Sequence, residues 1–429
     1  MPSPPVGGDR FRVFHILRTA AEAGHRVDLV TFDDGRTDAR ALEPLRRLTH
    51  RMDVVRLPKL LSWYRAGCAL PTSHPLQAAY YRSARMERAV AAAFDRSAPD
   101  VVYTHLFRMA PYALVEQRRR DARWILDLTD VISAGMARSL PYRRGPGRWL
   151  HREEARRIAC YEAQVAPQFD ECWLISEAEV QALRALAPGA AARVVPNGFE
   201  PAPAAEPPLA SSRSARENGT VQDHANGNGT GNGTGNDREP GRLLFFGYHE
   251  VFHNRDAVRY LVEEVLPRVR ARVPHATLDI AGKGSDALGS WVRKPGVRVL
   301  GFVPDLEAEL RRATVFVAPH RFAAGVQNKV LQALSAGTPV VTTPIVRQGL
   351  EPIPDGVLRV GADAEEVAAH TAAILTDAAA AAGQGARGEA WARGRFTWRI
   401  SLEALEGGEA ASTTDAPSAA PARLAVAGA

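Results

Sequence analysis

Short apolar segments alternate with helical stretches along most of this 429-residue chain, in two blocks that span residues 1–200 and 241–407. Each block contains six such segments, rich in β-branched and aromatic residues. They are 27–32, 54–57, 101–105, 124–127, 173–175 and 194–195 in the first block, and 243–246, 277–281, 297–300, 315–318, 340–343 and 358–360 in the second. Continuous apolar strands that alternate with helices are typical of parallel sheets covered on both faces. The sequence therefore predicts an α/β protein of two doubly wound, Rossmann-like domains, which bind ligands beyond the carboxyl ends of their strands.

Two segments have the composition of unstructured chain. Residues 201–240 are rich in Pro, Ala, Ser, Asn and Gly and predict a flexible linker. Residues 408–429 are rich in Gly, Ala, Ser and Thr and predict a disordered tail. The first block opens on a helical stretch, without the strand that would normally precede it and lie in the centre of its sheet. We therefore expect that strand to be encoded upstream of Met1.

Composition and charge exclude several classes of protein. With 45% hydrophobic and 24% charged residues, the chain resembles average soluble globular proteins, and no apolar run approaches the ~18 residues of a membrane-spanning helix. Its three cysteines are too few and too widely spaced for a disulfide framework or a cysteine-based zinc site, and they suit a reducing cytoplasm. The net charge of +6 is mild and no basic–aromatic groove pattern is present, so nucleic acid is not a predicted partner.

Polar groups at element ends in the first block are candidates for the chemistry of a site. Gly7 and Gly8 precede the first helix, where bare backbone N–H groups bind anions, although a plain turn also explains them. His105 ends a predicted strand, where α/β folds place reactive groups; a hydrogen-bonded structural histidine is the alternative. Asp127 and Asp130 close the next strand and would either bind a hydroxyl-rich ligand or cap the following helix.

A glycine pattern in the second block suggests a dinucleotide site. Residues 282–287 match G-x-G-x-x-A. The next predicted strand ends in Gly301, however, where a ribose-binding acid would be expected, and Lys283 suits a phosphate instead. A dinucleotide-dependent enzyme therefore stays only as an alternative hypothesis.

The strongest functional signal lies in residues 318–341, which predict a strand, a loop, a helix and another strand. Gly325 is at the predicted helix start, where free N–H groups and the helix dipole favour phosphate. Arg321 and Lys329 place positive charge on both sides of it, and Gln332 shares a helix face with Lys329. A solvated helix with incidental charges does not explain these residues together.

At these residues the sequence resembles the group 1 (family 4) glycosyltransferases. The resemblance is carried by residues 325–341 and by shorter motifs in the family's order along both blocks. These motifs are 24–27, 175–177, 195–198, 247–254, 265–267, 301–305 and 396–405. Residues 149–157 and 161–162 are most similar to bacterial members that are found with exopolysaccharide and exosortase-linked gene clusters.

The resemblance implies two domains that face a central cleft, the GT-B architecture. Residues 1–200 would bind the acceptor, 241–387 would bind the donor, and 388–407 would form a closing helix that packs back toward the first domain. The implied activity is transfer of a sugar, with retention at the anomeric carbon, from a nucleotide-sugar to a lipid-linked, polysaccharide or small-molecule acceptor. No cofactor and no metal are expected, and the sequence contains no Asp-x-Asp motif.

The resemblance also assigns roles to residues. Arg321 and Lys329 would offset charge on the departing diphosphate and His105 would face the reacting sugar, so these three are the predicted catalytic residues. The predicted donor-binding residues are Lys283, Gly325, Val326, Gln327, Asn328 and Gln332. The predicted acceptor-side residues are Gly7, Gly8 and Asp130.

Several positions depart from the family pattern. Ala324 and Gln332 stand where many members carry two glutamates, and glutamine keeps an acceptor oxygen but loses the charge. The Arg–Lys pair that many members place after the first strand of the second domain is also missing, since residues 248–254 contain neither at those places. A catalytically lapsed accessory protein, which binds a nucleotide without turnover, is therefore the alternative function.

Basic clusters predict a further partner. Residues 118–120 and 142–144 would attract anionic lipid headgroups by about 1 kcal/mol per basic residue, while a solvated surface is the alternative. The expected location is the cytoplasm, with peripheral contact at the inner face of the membrane.

Overall fold

The computed structural model of the chain describes residues 2, 8–33, 35, 39–117, 121–145, 147–198, 238–322, 326–407 and 422–428. The strands are β1 (Arg26–Asp33), β2 (Arg51–Arg56), β3 (Val101–His105), β4 (Arg123–Thr129), β5 (Glu171–Leu174), β6 (Ala192–Val194), β7 (Glu239–Phe246), β8 (Thr277–Ala281), β9 (Val297–Gly301), β10 (Ala313–Ala318), β11 (Val340–Thr342), β12 (Arg359–Val360) and β13 (Arg423–Gly428). The helices are α1 (Gly8–Glu22), α2 (Ala39–Leu48), α3 (Lys59–Cys68), α4 (Leu76–Tyr81), α5 (Ala84–Ser97), α6 (Ala110–Gln117), α7 (Ile132–Ser139), α8 (Gly147–Val165), α9 (Glu177–Leu186), α10 (Phe252–Tyr260), α11 (Leu266–Arg272), α12 (Leu306–Arg312), α13 (Asn328–Ser335), α14 (Pro344–Gln348), α15 (Ala364–Thr376), α16 (Ala378–Arg395) and α17 (Arg399–Leu405).

These elements form two parallel sheets, which confirms the predicted fold class. The first sheet has the order β2-β1-β13-β3-β4-β5-β6, and the second has the order β12-β11-β10-β7-β8-β9. Every strand predicted from the sequence is present. Each sheet has a buried core on both faces: in β7, Leu243 and Phe245 pack on one side, and Leu244 and Phe246 on the other. The strand alternation therefore buries apolar side chains in both directions, as two-sided parallel sheets require.

The centre of the first sheet is filled by residues from the far end of the sequence. Strand β13 lies between β1 and β3 and pairs in parallel with both, so that Val426 is opposite Leu29 on one side and Tyr103 on the other. Its side chains are buried alternately in the two cores. The prediction of a disordered tail is therefore wrong for residues 422–428. The expectation of a missing central strand is also wrong. Strand β13 occupies the central position of the first sheet for which we expected a strand upstream of Met1.

Two helical regions of the sequence are each divided by a break in the structure. The amphipathic stretch 76–94 forms two helices, because Ser83 has an extended backbone and caps α5 by accepting a hydrogen bond from the Met86 N–H. The predicted closing helix 388–407 contains the end of α16 and, after a break, α17. The linker prediction falls mainly outside the described residues, and its last two residues belong to β7.

The second half of the chain returns to the first domain through α17. Trp398 stacks on His15 of α1, with ring centroids 4.8 Å apart. Arg123 of β4 donates hydrogen bonds to the carbonyl oxygens of Ala404 and Leu405. Helix α17 therefore packs on the first domain and contributes to its core. Among the described residues, no helix is long and apolar enough to cross a membrane.

Candidate active site

A cavity of about 740 Å³ lies between the two domains. It is lined by the start of α1 and the segment after β4 from the first domain, and by the loops after β7, β8 and β9 and the start of α13 from the second. Apart from the start of α1, the first element of the chain, these segments follow the carboxyl ends of parallel strands, where doubly wound sheets bind ligands. The volume is in the range of sites for small molecules and cofactors.

The first domain contributes a strained backbone to this cleft. Thr129, the last residue of β4, has a φ of 64°, which a β-branched residue rarely adopts. Its N–H donates a 2.9 Å hydrogen bond to Asp127 Oδ1, which holds the turn. Thr129, Asp130, Arg10 and Phe11 all line the cleft. Strain of this kind is retained where surrounding contacts over-determine the backbone, and such places cluster at ligand sites.

A buried ion pair supports this wall of the cleft. The Nε of Arg12, in α1, donates a 2.6 Å hydrogen bond to Asp127 Oδ2, and neither side chain is exposed. Tyr103 also donates to Asp127. Burial alone would raise the pKa of the Asp127 carboxyl, but the Arg12 charge, the proximity of His105 and the hydrogen bond from Arg12 together hold this pKa well below its usual range. The carboxylate is therefore ionised and locked in place.

Asn197 links this buried pair to the second domain. Its Oδ1 accepts a 2.9 Å hydrogen bond from Arg12, and its Nδ2 donates a 2.9 Å hydrogen bond to Asn328 Oδ1. Asn328 is the first residue of α13. The hydrogen-bond network therefore runs from Asp127 across the cleft to the start of α13, the helix with the strongest functional signal in the sequence.

Lys329 is the central cation of the second domain's wall. Its Nζ donates to Asn254 Oδ1 at 2.7 Å and to Gln327 Oε1 at 3.1 Å, and it lies 3.3 Å from His320 Nε2. Burial lowers the pKa of this amine to about 7. The pKa of His253 is lowered to about 3, by burial and then by the Lys329 charge. The amine is thus surrounded by neutral amides and imidazoles, which position it without neutralising it.

The glycines of the dinucleotide-like pattern serve loop packing. Gly282 has a φ of 125°, and a Cβ at this position would lie 1.9 Å from the carbonyl oxygen of Gly247. The loops after β7 and β8 therefore approach each other too closely for any side chain there. Lys283 projects from this junction, with its Nζ 5.0 Å from the ring centroid of Phe302. The pattern is thus explained by the close approach of two loops in the wall of the cleft.

Two family models match consecutive parts of the chain. The model described as "Glycosyl transferase 4-like domain" matches residues 7–198. The model described as "Glycosyl transferases group 1" matches residues 240–377. Their division falls between the two sheets, and together they include both walls of the cleft. The chain belongs to the group 1 glycosyltransferases.

Solved glycosyltransferase structures share the two-domain GT-B fold of this enzyme. Sucrose-phosphate synthase from Thermosynechococcus elongatus is 17% identical with a TM-score of 0.63, over 93% of this chain and 92% of that one. Anabaena HepE, solved with UDP and glucose, is 14% identical with a TM-score of 0.61, over 94% and 95%. WaaG, a glycosyltransferase of lipopolysaccharide biosynthesis, is 13% identical with a TM-score of 0.57, over 95% and 97%. A comparison with curated proteins found no match.

Most of the predicted site residues meet in the cleft of this glycosyltransferase. The cleft residues that were predicted from the sequence are Asp130, Lys283, Val326, Gln327, Asn328, Lys329 and Gln332. Gly8 is the first residue of α1, whereas Gly7, Ala324 and Gly325 lie outside the described residues. Helix α13 begins at Asn328 and not at Gly325, because Gln327 still has an extended backbone.

Two predicted catalytic residues lie away from the cleft lining. His105 is 1% exposed, and its Nδ1 is 3.8 Å from Asp127 Oδ2, within the buried network. Arg321 pairs with Asp256, and its guanidinium lies 4.9 Å from the ring centroid of Tyr142 in the first domain. The structure therefore does not bring these two side chains together with Lys329, and their catalytic roles stay predictions.

Sequence reasoning missed several cleft residues. Asn197 and Asn254 belong to motifs that carried the family resemblance, but neither was assigned to the site. Arg10 and Phe11 follow the glycines at the start of α1, so their position beside those glycines was the available signal. Thr129 gave no signal, because its role depends on a backbone conformation that threonine rarely adopts.

Replacing Asp127 by asparagine is expected to lower the free energy of unfolding of the first domain by about 3–5 kcal/mol, because Arg12 would remain buried without a counter-charge. Chemical denaturation followed by tryptophan fluorescence measures this, and buried Trp124 and Trp173 report on this domain. Since the folded-state pKa of Asp127 is depressed, its contribution is present above about pH 4 and is lost as the pH falls further.

The control for this prediction is Asp100→Asn. Asp100 pairs with Arg423 at a position where both side chains are about half exposed. Loss of this pair is expected to cost less than about 1 kcal/mol. Equal destabilisation by the two substitutions would contradict the role of the buried pair.

Proposed function

We propose that this glycosyltransferase moves a sugar from a nucleotide-sugar to an acceptor, with retention at the anomeric carbon and without a metal ion. The observation that carries the proposal is Lys329, a cation held in the cleft by uncharged partners. Anabaena HepE, which has the same fold, was solved with UDP-glucose. The donor would lie along the second domain, with its diphosphate near Lys329 and Lys283.

The contacts of Lys329 suggest how it would act on the donor. Asn254 and Gln327 direct its Nζ but carry no negative charge, so a diphosphate would be the first anion to neutralise it. Bringing an anion to a buried amine favours the protonated form. Lys329 would therefore bind in the charged state and offset the charge that develops on the leaving diphosphate.

The other wall of the cleft would receive the acceptor. Arg10, Phe11 and Asp130 present a cation, an aromatic ring and a carboxylate to the same space. The Asn197–Asn328 hydrogen bond joins this wall to the start of α13. The acceptor would be lipid-linked, a polysaccharide or a small molecule, and its reacting hydroxyl would approach the donor from this side.

Calorimetric titration with UDP and GDP, followed by turnover of the corresponding nucleotide-sugars, tests the proposal. We expect micromolar binding of one nucleoside diphosphate. We also expect slow turnover of the corresponding nucleotide-sugar, which releases that diphosphate at the same rate with and without a chelator. A loss of activity with chelator would contradict metal independence. Sub-millimolar binding of NAD(H), with no nucleoside diphosphate bound, would revive the dinucleotide hypothesis.

The lapsed-enzyme alternative is favoured by one feature of the cleft. Gln332 lines it where many family members carry a glutamate. This alternative predicts binding of a nucleoside diphosphate with no release of sugar from any donor. Turnover of one nucleotide-sugar would exclude it.

Replacing Gln332 by glutamate is expected to tighten binding of the nucleoside diphosphate. A hydrogen bond to a charged acceptor is worth about 1.5–3 kcal/mol and a neutral one about 1 kcal/mol, so affinity would rise roughly 2- to 30-fold. Calorimetry measures this change, and Gln181→Glu on the exposed face of α9 is the matched control. Unchanged or weaker binding would show that Gln332 does not contact the ribose.

We also propose a cytoplasmic location with peripheral membrane contact, although the two basic clusters that suggested it offer little support. Residues 118–120 lie outside the described part of the chain. The Tyr142 ring stacks on Phe322 of the second domain, and the Arg143 guanidinium lies over the Phe252 ring. The 142–144 cluster is therefore partly engaged between the domains.

A further inference from the structure

A short segment of the first domain docks on the second domain beside the cleft. Tyr142 and Arg143 lie between α7 and α8. The Tyr142 ring stacks on Phe322, with ring centroids 4.5 Å apart and an angle of 26° between the ring planes. The Tyr142 hydroxyl donates a 3.3 Å hydrogen bond to the carbonyl oxygen of Arg321. The Arg143 guanidinium lies 4.8 Å from the ring centroid of Phe252. Two consecutive residues of the first domain therefore contact three residues of the second.

Arg321 lies between aromatic rings of both domains. Its guanidinium is 4.9 Å from the ring centroid of Tyr142 and 5.0 Å from that of Tyr260. Its Nε donates a 2.9 Å hydrogen bond to Asp256 Oδ2, and the Asp256 side chain is only 11% exposed. A planar guanidinium can stack on aromatic rings and bind a carboxylate with its edge at the same time. Arg321 therefore connects the second domain to Tyr142.

One face of α10 supports this contact from behind. Phe252, Asp256 and Tyr260 follow each other at a spacing of four residues, which places them on the same side of the helix. Asn254, on the same helix, accepts the 2.7 Å hydrogen bond from Lys329 Nζ. The helix that supports the domain contact thus also holds the central cation of the cleft.

The segment between β10 and α13 is held by the first domain at two places. Tyr142 contacts its beginning, and the 2.9 Å hydrogen bond between Asn197 and Asn328 holds its end. His320, directly before the part that Tyr142 contacts, has its Nε2 3.3 Å from Lys329 Nζ. A shift at either place would therefore move a residue that contacts or adjoins the cleft cation.

We propose that Tyr142 is a positioning residue for glycosyl transfer. Through Arg321 and Phe322 it holds the segment that precedes Lys329 in a fixed place relative to the acceptor wall of the first domain. This alignment matters because a misplacement of reacting groups by about 1 Å costs roughly 100-fold in rate. The effect on turnover rests on the proposed function, whereas the contact between the domains requires no ligand.

The strength of the Tyr142 contact suits a reversible connection. One aromatic stack and one exposed cation–π contact together shift the ratio of docked to undocked domains by roughly 5- to 70-fold. Such a contact favours one domain arrangement and still lets the cleft open for substrates. The same arrangement gives Arg321 a structural reason for its position that does not involve the departing diphosphate.

Energy transfer between two dyes tests the contact in the absence of any ligand. One dye is attached to exposed Cys68 in the first domain and the other to Ala379→Cys, an exposed position of the second, after Cys160→Ser. Tyr142→Ala is expected to lower the ratio of docked to undocked domains roughly 5- to 70-fold, and with it the energy-transfer efficiency. Tyr142→Phe keeps the stacked ring and should restore the efficiency. Trp149→Ala removes a ring that is 71% exposed on α8 and should not change it.

Kinetics of the same variants test the effect on the reaction. Tyr142→Ala is expected to lower kcat about 10- to 100-fold, while the Kd for UDP or GDP, whichever binds, changes less than about threefold, because the nucleotide would contact the second domain. Phe322→Ala should have a similar effect. The double variant should lose little more than either single variant, since both remove the same contact.

The two measurements separate the role of Tyr142 from the proposed function. An energy-transfer efficiency that Tyr142→Ala leaves unchanged, or losses that add fully in the double variant, would overturn the role of Tyr142 while nucleotide binding and turnover stand. An equal loss of kcat and nucleotide affinity would also overturn it. Failure of the unchanged protein to bind either UDP or GDP would overturn the proposed function and with it the role in transfer, and the dye measurement would still decide whether Tyr142 holds the domains together.

Discussion

Deleting residues 422–429 is expected to unfold the first domain and to leave the second domain folded. Strand β13 is hydrogen-bonded on both sides, to β1 and to β3, so its loss divides the seven-stranded sheet into two parts. Leu424 and Val426 would vacate one core, and Ala425 and Ala427 the other. Limited proteolysis with mass spectrometry measures the result. We expect rapid cleavage within residues 26–194, while the segment 238–395 stays protected.

Point substitutions in β13 provide the matched control for this deletion. Val426→Asp places an unpaired charge at a site that is 1% exposed and should cost several kcal/mol, on the order of the whole stability of a domain. Arg423→Ala removes an exposed pair and one long, 3.4 Å hydrogen bond to the Ser97 carbonyl oxygen, and it should cost about 1 kcal/mol. A synthetic peptide of residues 421–429 should restore protection to the shortened protein. A first domain that resists protease after the deletion would contradict the central position of β13.

Replacing Lys329 by methionine is expected to reduce turnover by about 100- to 1,000-fold, the usual effect of removing one group that stabilises developing negative charge. The stability should not fall. Burial disfavours the charged amine, as its lowered pKa shows, and methionine fills a similar volume without that penalty. Initial rates and thermal unfolding of the same preparation measure the two effects. Lys294→Met, at an exposed position of the second domain, should change neither. Equal loss of activity and stability would contradict the assigned role.

The protonation of Lys329 makes this prediction pH-dependent. The pKa of the amine is about 7 without ligand, so the amine is charged below this pH and increasingly neutral above it. Affinity for UDP should therefore fall as the pH rises from roughly 7.5 to 9, by up to tenfold per unit. At the upper end, binding should take up a proton, which calorimetry in two buffers of different ionisation enthalpy detects. In Lys329→Met both effects should be absent, and their persistence would assign them to another group.

The donor half of the site could be predicted from the sequence to a large extent. Residues 326–332 are contiguous, and a strand followed by a loop and a helix places them at one sheet edge whatever the rest of the molecule does. The same argument, from a strand followed by a loop, correctly predicted that Lys283 lies at the cleft. The acceptor half was less accessible, because Arg10, Thr129 and Asn197 come from three distant parts of the chain.

The buried network shows why residue roles were harder to predict than residue positions. His105 was correctly placed at the end of β3, but its side chain is buried beside Asp127 and does not face the cleft. Arg321 was correctly placed after β10, but its guanidinium pairs with Asp256 and lies over the Tyr142 ring, and it is not part of the cleft lining. The direction in which a side chain points depends on partners that are far away in sequence.

The sequence by itself determined the fold class and most strands, because strand and helix periodicities are local and each block repeats them many times. Only the tertiary structure decided that β13 completes the first sheet. Its residues are mostly small and follow a low-complexity stretch, so nothing local distinguishes them from a tail. They form a strand because β1 and β3 present unpaired backbone groups and two apolar faces at the same gap. Such a strand is specified by its neighbours in the folded protein, and a local stretch of sequence does not contain that information.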